Sequence, residues 1–347
     1  MNKDIPIENI YFMLSYAFKV LNHDSYRNMA VEKFSNLADM FAAILQKGIE
    51  SQVKRYLNRE YVVEKESLST LRGKIEISDS INNMSFLNKK LVCSFDEFSV
   101  DSYMNRILKS TVSCLLKSKI SDKRKKQLKA LLAYFSNVNE IDLHNINWKI
   151  HYDKNNETYR MLMGICYLFS KGLLQTQSDG KFKIMDFLDE QRMCRLYEKF
   201  ILEYYRKEHK EFSANSSVIE WQLDDENDVM LPAMQSDIML SKNNKVLIID
   251  AKYYKQSTQV QYEKHTVHSA NLYQIFTYVK NKEAELSEKE HEVSGMLLYA
   301  KTLDNHLYPN DYMMSGNKIS VRTLDLNCDF SEIRKQLDDI CDKFFCK

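Results

Sequence analysis

Met234-Gln-Ser-Asp-Ile-Met-Leu-Ser-Lys-Asn-Asn-Lys-Val-Leu-Ile-Ile-Asp-Ala-Lys-Tyr-Tyr254 is the most informative part of the sequence. It reads as a β-hairpin: an extended run from Leu231 to Leu240, a polar turn from Ser241 to Lys245, and a second run from Val246 to Tyr253. The segment Val246-Leu-Ile-Ile249 is short, β-branched-rich and apolar throughout, the pattern of a strand buried on both faces. Asp250-Ala-Lys252 stands at its end. Side chains alternate along a strand, so Asp250 and Lys252 share a face with Val246 and Ile248. Asp237, on the preceding strand, reaches the same end.

Two carboxylates from neighbouring strands can hold a hard divalent cation through oxygen, leaving room for water and a phosphate. A lysine beside them can orient or deprotonate attacking water, or neutralise charge on the phosphate. These are the parts of metal-assisted phosphodiester hydrolysis. The triplet alone says little. Glu208-His-Lys210 is another acid-x-Lys, expected on a solvated helix end, and Asp250-Ala-Lys252 would equally suit a strand end with solubilising charges. The next element adds weight. Ser269 to Lys280 has helical periodicity and places Gln274 and Tyr278 at i and i+4, one above the other. Strand, acid-x-Lys and a Gln-x-x-x-Tyr helix together resemble the PD-(D/E)xK nuclease superfamily. That resemblance implies a helix packed over the site, with Gln274 positioning the lysine region or the DNA backbone. Ser236 stands where the name-giving proline would be.

The 347 residues are enough for two domains with proper cores, and 44% hydrophobic with 28% charged residues is ordinary for a soluble globular protein. With 3 Pro and 7 Gly, no Pro- or Gly-rich linker is expected. Net charge is only +1, so an autonomous non-specific DNA binder is disfavoured, since affinity comes largely from phosphate neutralisation. If the chain cuts DNA, a local patch or another protein holds the substrate. The seven cysteines are scattered without a Cys-x-x-Cys pair, which argues against a zinc ribbon or disulfide framework. Neither a signal peptide nor a run of membrane-spanning length is seen, so a cytoplasmic protein is expected. There is no G-x-x-x-x-G-K-[ST] and no G-x-G-x-x-G, hence no recognisable nucleotide-binding loop.

From the start, Ile5 to Leu21 and Val31 to Leu57 have helical periodicity. Tyr61-Val-Val63, Arg72 to Ile77 and Leu91 to Phe95 read as short strands of a small β unit inserted between helices. Asp101 to Lys117 is helical, capped near Asp101, with Asn105, Arg106 and Lys109 on its polar side. Ser121-Asp122 caps a basic helix start, Lys123-Arg124-Lys125-Lys126, which reads as a solvated face or as a patch for nucleic acid or an acidic partner. Trp148 to Asp153 is expected to be extended and Thr158 to Leu174 helical. A turn at Ser178-Asp-Gly-Lys181 sets the domain boundary, dividing 1–178 from 179–347.

Beyond it, an amphipathic helix runs from Asp186 to about Glu208 and carries Glu198 beside its apolar stripe. Glu198 is either an exposed ion-pair partner or an extra acid for a metal. A strand at Val218 to Trp221, the hairpin, the Gln-x-x-x-Tyr helix and a strand at Gly295 to Ala300 complete a mixed-sheet core. Val321 to Leu326 adds an edge strand and Ser331 to Phe345 a closing helix. His265 and His268 precede the Gln helix; capping, packing or a DNA contact suits His268 better than a metal role, because no cysteine or carboxylate lies nearby.

Several stretches in this order resemble the McrC family, the nuclease subunits of McrBC methylation-dependent restriction systems. They are Ile5 to Leu14, Leu71-Arg-Gly-Lys-Ile75, Phe95-Asp-Glu-Phe98, Asn105 to Lys109, Leu196-Tyr-Glu-Lys-Phe200, Asp237-Ile238, Ile249 to Lys255 and Asn271-Leu-Tyr-Gln274. The resemblance spans nearly the whole chain. It implies an α+β protein: a helical N-terminal, partner-binding domain with a small β unit, then a PD-(D/E)xK endonuclease domain. It implies a McrB-like AAA+ GTPase ring as partner, with GTP bound only by that partner, and DNA containing modified cytosine as substrate. The N-terminal half would insert into the ring and stimulate GTP hydrolysis; the C-terminal half would cut. Asp237 and Asp250, with Glu198, would hold Mg²⁺. Lys252 would act on the attacking water, Gln274 would complete the site, and Tyr278 and His268 would support it. Arg106 and Lys123, Arg124, Lys125 and Lys126 are candidates for the partner contact. Two alternatives stay open: a non-catalytic adaptor of an AAA+ NTPase, and a stand-alone DNA repair nuclease.

Overall fold

The computed structural model describes residues 5–22, 26, 29, 32–152, 156–176, 182–184, 190–225, 228–254, 259–261, 264–301 and 309–345. The chain forms two compact units, one of residues 1–34 with 185–347 and the other of residues 35–184. The expected division put everything before 179 in one domain. Instead α1 (Ile7–Ala17) belongs with the C-terminal part, because its apolar face packs there: Phe12 stacks on Phe330 at 4.5 Å and the Tyr16 hydroxyl donates to Glu208 at 2.8 Å. The turn expected at Ser178–Lys181 lies outside the described residues.

The unit of residues 35–184 begins with α2 (Leu37–Arg55), where the Asn36 side chain accepts from the Asp39 N–H and caps the first turn. Next comes the small β unit, β1 (Glu60–Leu68), β2 (Lys74–Ile75), the short helix α3 (Ile77–Asn82) and β3 (Leu91–Ser99). Its antiparallel sheet has the order β1-β3-β2. The strand expected over Arg72 to Ile77 is only two residues long, because α3 takes over at Ile77. Gly73, at φ +67°, passes so close to β3 that a Cβ would lie 2.3 Å from the Ser94 carbonyl oxygen.

Then follow α4 (Tyr103–Leu115), α5 (Asp122–Leu132) and α6 (Glu157–Leu168), the last widening into π turns over Phe169–Leu173 before β4 (Leu174–Thr176) and β5 (Phe182–Ile184). Ser102, not Asp101, caps α4. Asp101 instead receives a bidentate pair from Arg106 at 2.7 and 2.9 Å, plus the Asn139 backbone and amide. Asn105, expected on a polar face, is fully buried. It donates to the Asn58 and Val100 carbonyls and accepts from Tyr159. Lys109 donates to the carbonyls of Phe135 and Val138. Asn105, Arg106 and Lys109 are therefore all committed to contacts within this unit. The basic run at the start of α5 divides: Lys123 and Lys126 are exposed, Lys125 is half-buried, and Arg124 is buried against Asp39 at 2.9 Å. Arg124 is thus not part of an open patch. No strand forms over 148–152, and Asp153 lies outside the described residues.

The other unit continues with α7 (Glu190–Glu208), β6 (Ser213–Asn215), β7 (Val218–Ile219), β8 (Met234–Gln235), β9 (Ile238–Lys242), β10 (Lys245–Lys252), β11 (Gln259–Gln261), β12 (Lys264–Thr266), α8 (Ser269–Glu285), β13 (Glu292–Ala300), β14 (Asn310–Met314), β15 (Asn317–Leu324) and α9 (Phe330–Phe345). The expected start of α7 at Asp186 lies outside the described residues. Six strands form a mixed sheet in the order β14-β15-β13-β10-β9-β6. β10, β13 and β15 run parallel; β9, β6 and β14 are antiparallel to their neighbours. β15 is therefore internal rather than the expected edge, and β14 takes the rim. The run Leu231 to Leu240 is likewise not one strand, for β8 pairs with β7 and only β9 joins the hairpin. Asn243, at φ 55°, lies in the two-residue hairpin turn.

α8 lies on one face of this sheet. Its Ile275, Tyr278 and Val279 pack with Val246, Ile248, Leu297 and Tyr299. Gly295 permits the approach, since a Cβ there would come within 2.8–2.9 Å of the Ile275, Val279 and Ile319 side chains. Among the described residues no helix is long and apolar enough to cross a membrane.

Candidate active site

β10 carries the site because its apolar length anchors it in the middle of the sheet. Val246 to Ala251 are all buried. Asp250 is 1% exposed, and the Lys252 Nζ lies 2.9 Å from its Oδ1. Asp237, just before β9, accepts the Ala251 N–H at 2.9 Å, so its carboxylate is tied to the β10 backbone between the other two side chains. Asp237 and Asp250 also meet carboxyl to carboxyl. Asp250 Oδ2 is buried with no donor among the described residues. The three groups singled out from the sequence thus converge under α8.

Two buried carboxyls in contact cannot both ionise cheaply. Burial pushes Asp250 up to about 7, with Lys252 pulling the other way and Asp237 adding to the rise. Burial also raises Asp237, against the pull of Lys252. For Lys252, burial alone would lower the ammonium's pKa, but the Asp250 carboxylate outweighs it and the net shift is upward. Lys252 is therefore a firmly protonated donor, and Asp250 is the group poised to hold or release a proton near neutrality.

α8 fixes the lysine from above. Gln274 Oε1 accepts from Lys252 at 3.3 Å, while its Nε2 donates to the Tyr278 hydroxyl at 2.9 Å, which sets the orientation of the amide. His268 occupies the N-cap position of α8 without a side-chain cap. Its ring packs on Tyr254 at 5.5 Å, and its buried Nε2 has no partner among the described residues. The His265 side chain lies outside the described residues. Glu198, on α7, accepts from the Cys194 thiol at 3.0 Å. Burial raises its pKa, and Asp237 adds to the rise. Glu198 thus shares the site's field, yet among the described residues no three His, Cys, Asp or Glu side chains gather closely enough to cage a metal.

A divalent ion still suits the donors present. Mg²⁺ keeps several waters and needs only one or two protein carboxylates. Asp237 and Asp250 supply two, one with an oxygen that has no donor among the described residues, and a cation there would relieve their repulsion. Sequence reasoning missed a second network. The Tyr254 hydroxyl lies 3.4 Å from Asn271 Oδ1, and Asn271 Nδ2 donates to the Tyr299 hydroxyl at 2.9 Å. Tyr299 sits beside Lys252 in the parallel register, fully buried. Asn271 had stood out only as part of a family pattern, and nothing local marks Tyr299, whose place depends on strand pairing.

The chain is 28% identical over 346 residues, 98% of either chain, to the Escherichia coli (strain K12) protein described as type IV methyl-directed restriction enzyme EcoKMcrBC. Its fold is similar to a chain of the half-complex from a tetradecameric assembly of Thermococcus gammatolerans McrB AAA+ hexamers with bound McrC. That match has a TM-score of 0.51 and 20% identity, covering 96% of this chain and 76% of the other. The family model for McrBC 5-methylcytosine restriction system components matches residues 4–300, and the chain belongs to that family.

Proposed function

We propose that this chain is the Mg²⁺-dependent DNA endonuclease subunit of a modification-dependent restriction complex, built on a PD-(D/E)xK core. In this reading it works in the cytoplasm with a McrB-like AAA+ ring whose GTP hydrolysis it stimulates, on DNA containing 5-methylcytosine. The observation that carries the reading is the convergence of Asp237, Asp250 and Lys252 beneath the Gln274 helix. Asp237 and Asp250 would hold the metal, which when bound supplies Lewis-acid polarisation of phosphate and an acidified water. Lys252, kept protonated by its carboxylate neighbour, donates to a phosphate oxygen or orients water rather than acting as the base. Gln274, itself held by Tyr278, keeps the ammonium from swinging away. Tyr299, Asn271 and Tyr254 brace the end of β10 against α8.

Membership of the family supports a ring partner, and so does the surface of residues 35–184. Tyr61, Val63, Ile77, Leu87 and Phe98 of the small β unit are exposed large apolar side chains, of the kind a protein partner covers. The test supplies methylated and unmethylated DNA to the complex with its AAA+ partner, GTP and Mg²⁺. Cutting should require methylation, GTP and the metal; cutting that survives chelation of divalent ions would refute the mechanism.

A further inference from the structure

A cleft of about 330 Å³ opens beside Asp237. One wall is α7, where Arg195, Glu198, Lys199 and Leu202 fall at i, i+3, i+4 and i+7 on one helix face. The other is Ser216, Gln235, Ser236 and Asp237. Hydrogen bonds organise that second wall from within. The Ser216 hydroxyl donates to the Ser236 carbonyl at 2.8 Å, the Gln235 amide to Ser216 Oγ at 3.1 Å, and the Ser236 N–H to the Ser217 carbonyl at 3.0 Å. It offers shape, while α7 offers positive charge. The Lys199 ammonium lies 4.5 Å from the Phe18 ring centroid, an aromatic face that favours a cation there. The Glu198 carboxyl feels Asp237, Lys252 and Arg195 together, so the cleft and the acid pair share one continuous field.

We propose that this cleft is a DNA-backbone subsite in which Arg195 and Lys199 hold a phosphodiester neighbouring the one placed at Asp237, Asp250 and Lys252. The inference rests on the nuclease reading and deepens it. A chain of net charge +1 has no large cationic excess to spread over its surface, so phosphate anchoring has to be concentrated. The two cations stand one helical turn apart, about 6 Å along the axis, with Glu198 between them in sequence and Asp237 on the facing wall. A polyanionic strand fits that arrangement. None of the cleft's lining residues is aromatic, so there is no ring for a base to stack on, and the contact is with backbone rather than sequence.

Arg195→Gln, Lys199→Gln and the double variant test this in the full complex, since both positions are exposed on α7 and glutamine keeps a helix. Binding of a methylated duplex with Ca²⁺ in place of Mg²⁺ is measured against salt, and cleavage is measured with Mg²⁺. Each substitution should reduce the salt slope of log K by about 1 and weaken binding to all sequences alike, raising KM more than it lowers kcat. An unchanged slope and KM would overturn the proposal. So would loss of assembly with the AAA+ ring at unchanged DNA affinity, which would make Arg195 and Lys199 protein contacts. Asp250→Ala separates the two readings: if it still cuts, the nuclease assignment falls, whereas the subsite is judged by the salt slope alone.

Discussion

Replacing Asp250 with Asn should change how the stability of the metal-free protein depends on pH. Burial is the main cause of the Asp250 carboxyl's rise from its ordinary 3.8 to about 7. The unfolded chain releases this proton near 3.8 and the folded protein near 7, so between those values the folded state binds more protons. Stability from this group is therefore complete below about 3.8, falls as pH rises, and is lost above about 7. At about 1.36 kcal/mol per pH unit the loss approaches about 4 kcal/mol across that window. Asparagine does not titrate. It removes the carboxylate that pairs directly with Lys252 and leaves Asp237 in the ammonium's field, at a cost that hardly varies over the same range because the ammonium stays charged. For a unit of 150–250 residues, 1 kcal/mol moves Tm by roughly 2–4 °C. Between about pH 4 and pH 8, wild type should accordingly lose roughly 8–16 °C more than the variant. Calorimetry of both proteins in a chelator reads this directly. Adding Mg²⁺ at the higher pH should restore wild type and leave the variant unmoved. Parallel pH curves, with no response to Mg²⁺ in either protein, would refute the crowded-carboxylate account.

Gly295→Ala drives a methyl into the Ile275, Val279 and Ile319 side chains, and denaturant unfolding should show a loss of about 1–3 kcal/mol. Arg124→Gln strands the buried Asp39 carboxylate and should cost about 3–5 kcal/mol, whereas Lys123→Gln, on the exposed side of the same helix, should stay within about 0.5 kcal/mol. Ser236→Pro would supply the proline of the nuclease motif yet remove the N–H bonded to Ser217 and the Oγ that bridges the same residue, so it should destabilise by about 1–3 kcal/mol.

What the sequence made legible was local. Val246 to Ile249 read as a doubly buried strand, and alternation along it placed Asp250 and Lys252 on the face of Val246 and Ile248, the face that α8 covers. The i, i+4 spacing of Gln274 and Tyr278 likewise placed them one above the other, and in the structure they are hydrogen-bonded. The misreadings share a non-local cause. Leu231 to Leu240 looks continuous, but Ser236 bonds back to Ser217 across 19 residues and breaks it into two strands with different partners. Val321 looked like an edge because Asn310-Asp-Tyr-Met-Met314, which covers it, lacks β-branched residues and alternation. Arg124 looked solvated within a basic run, and its partner Asp39 is 85 positions away. α1 showed a buried face but not which unit would bury it. Glu198 stood open between an ion-pair partner and an extra acid for a metal, and its hydrogen bond runs to Cys194 one turn earlier.

In the proposed function, Asp250 belongs to a hydrolytic centre separate from the surface that engages the ring. Cleavage of methylated DNA and GTP hydrolysis should be measured side by side in complexes carrying wild type or Asp250→Ala. The variant should lose cutting and still stimulate the GTPase fully. Normal cutting by Asp250→Ala would contradict that assignment.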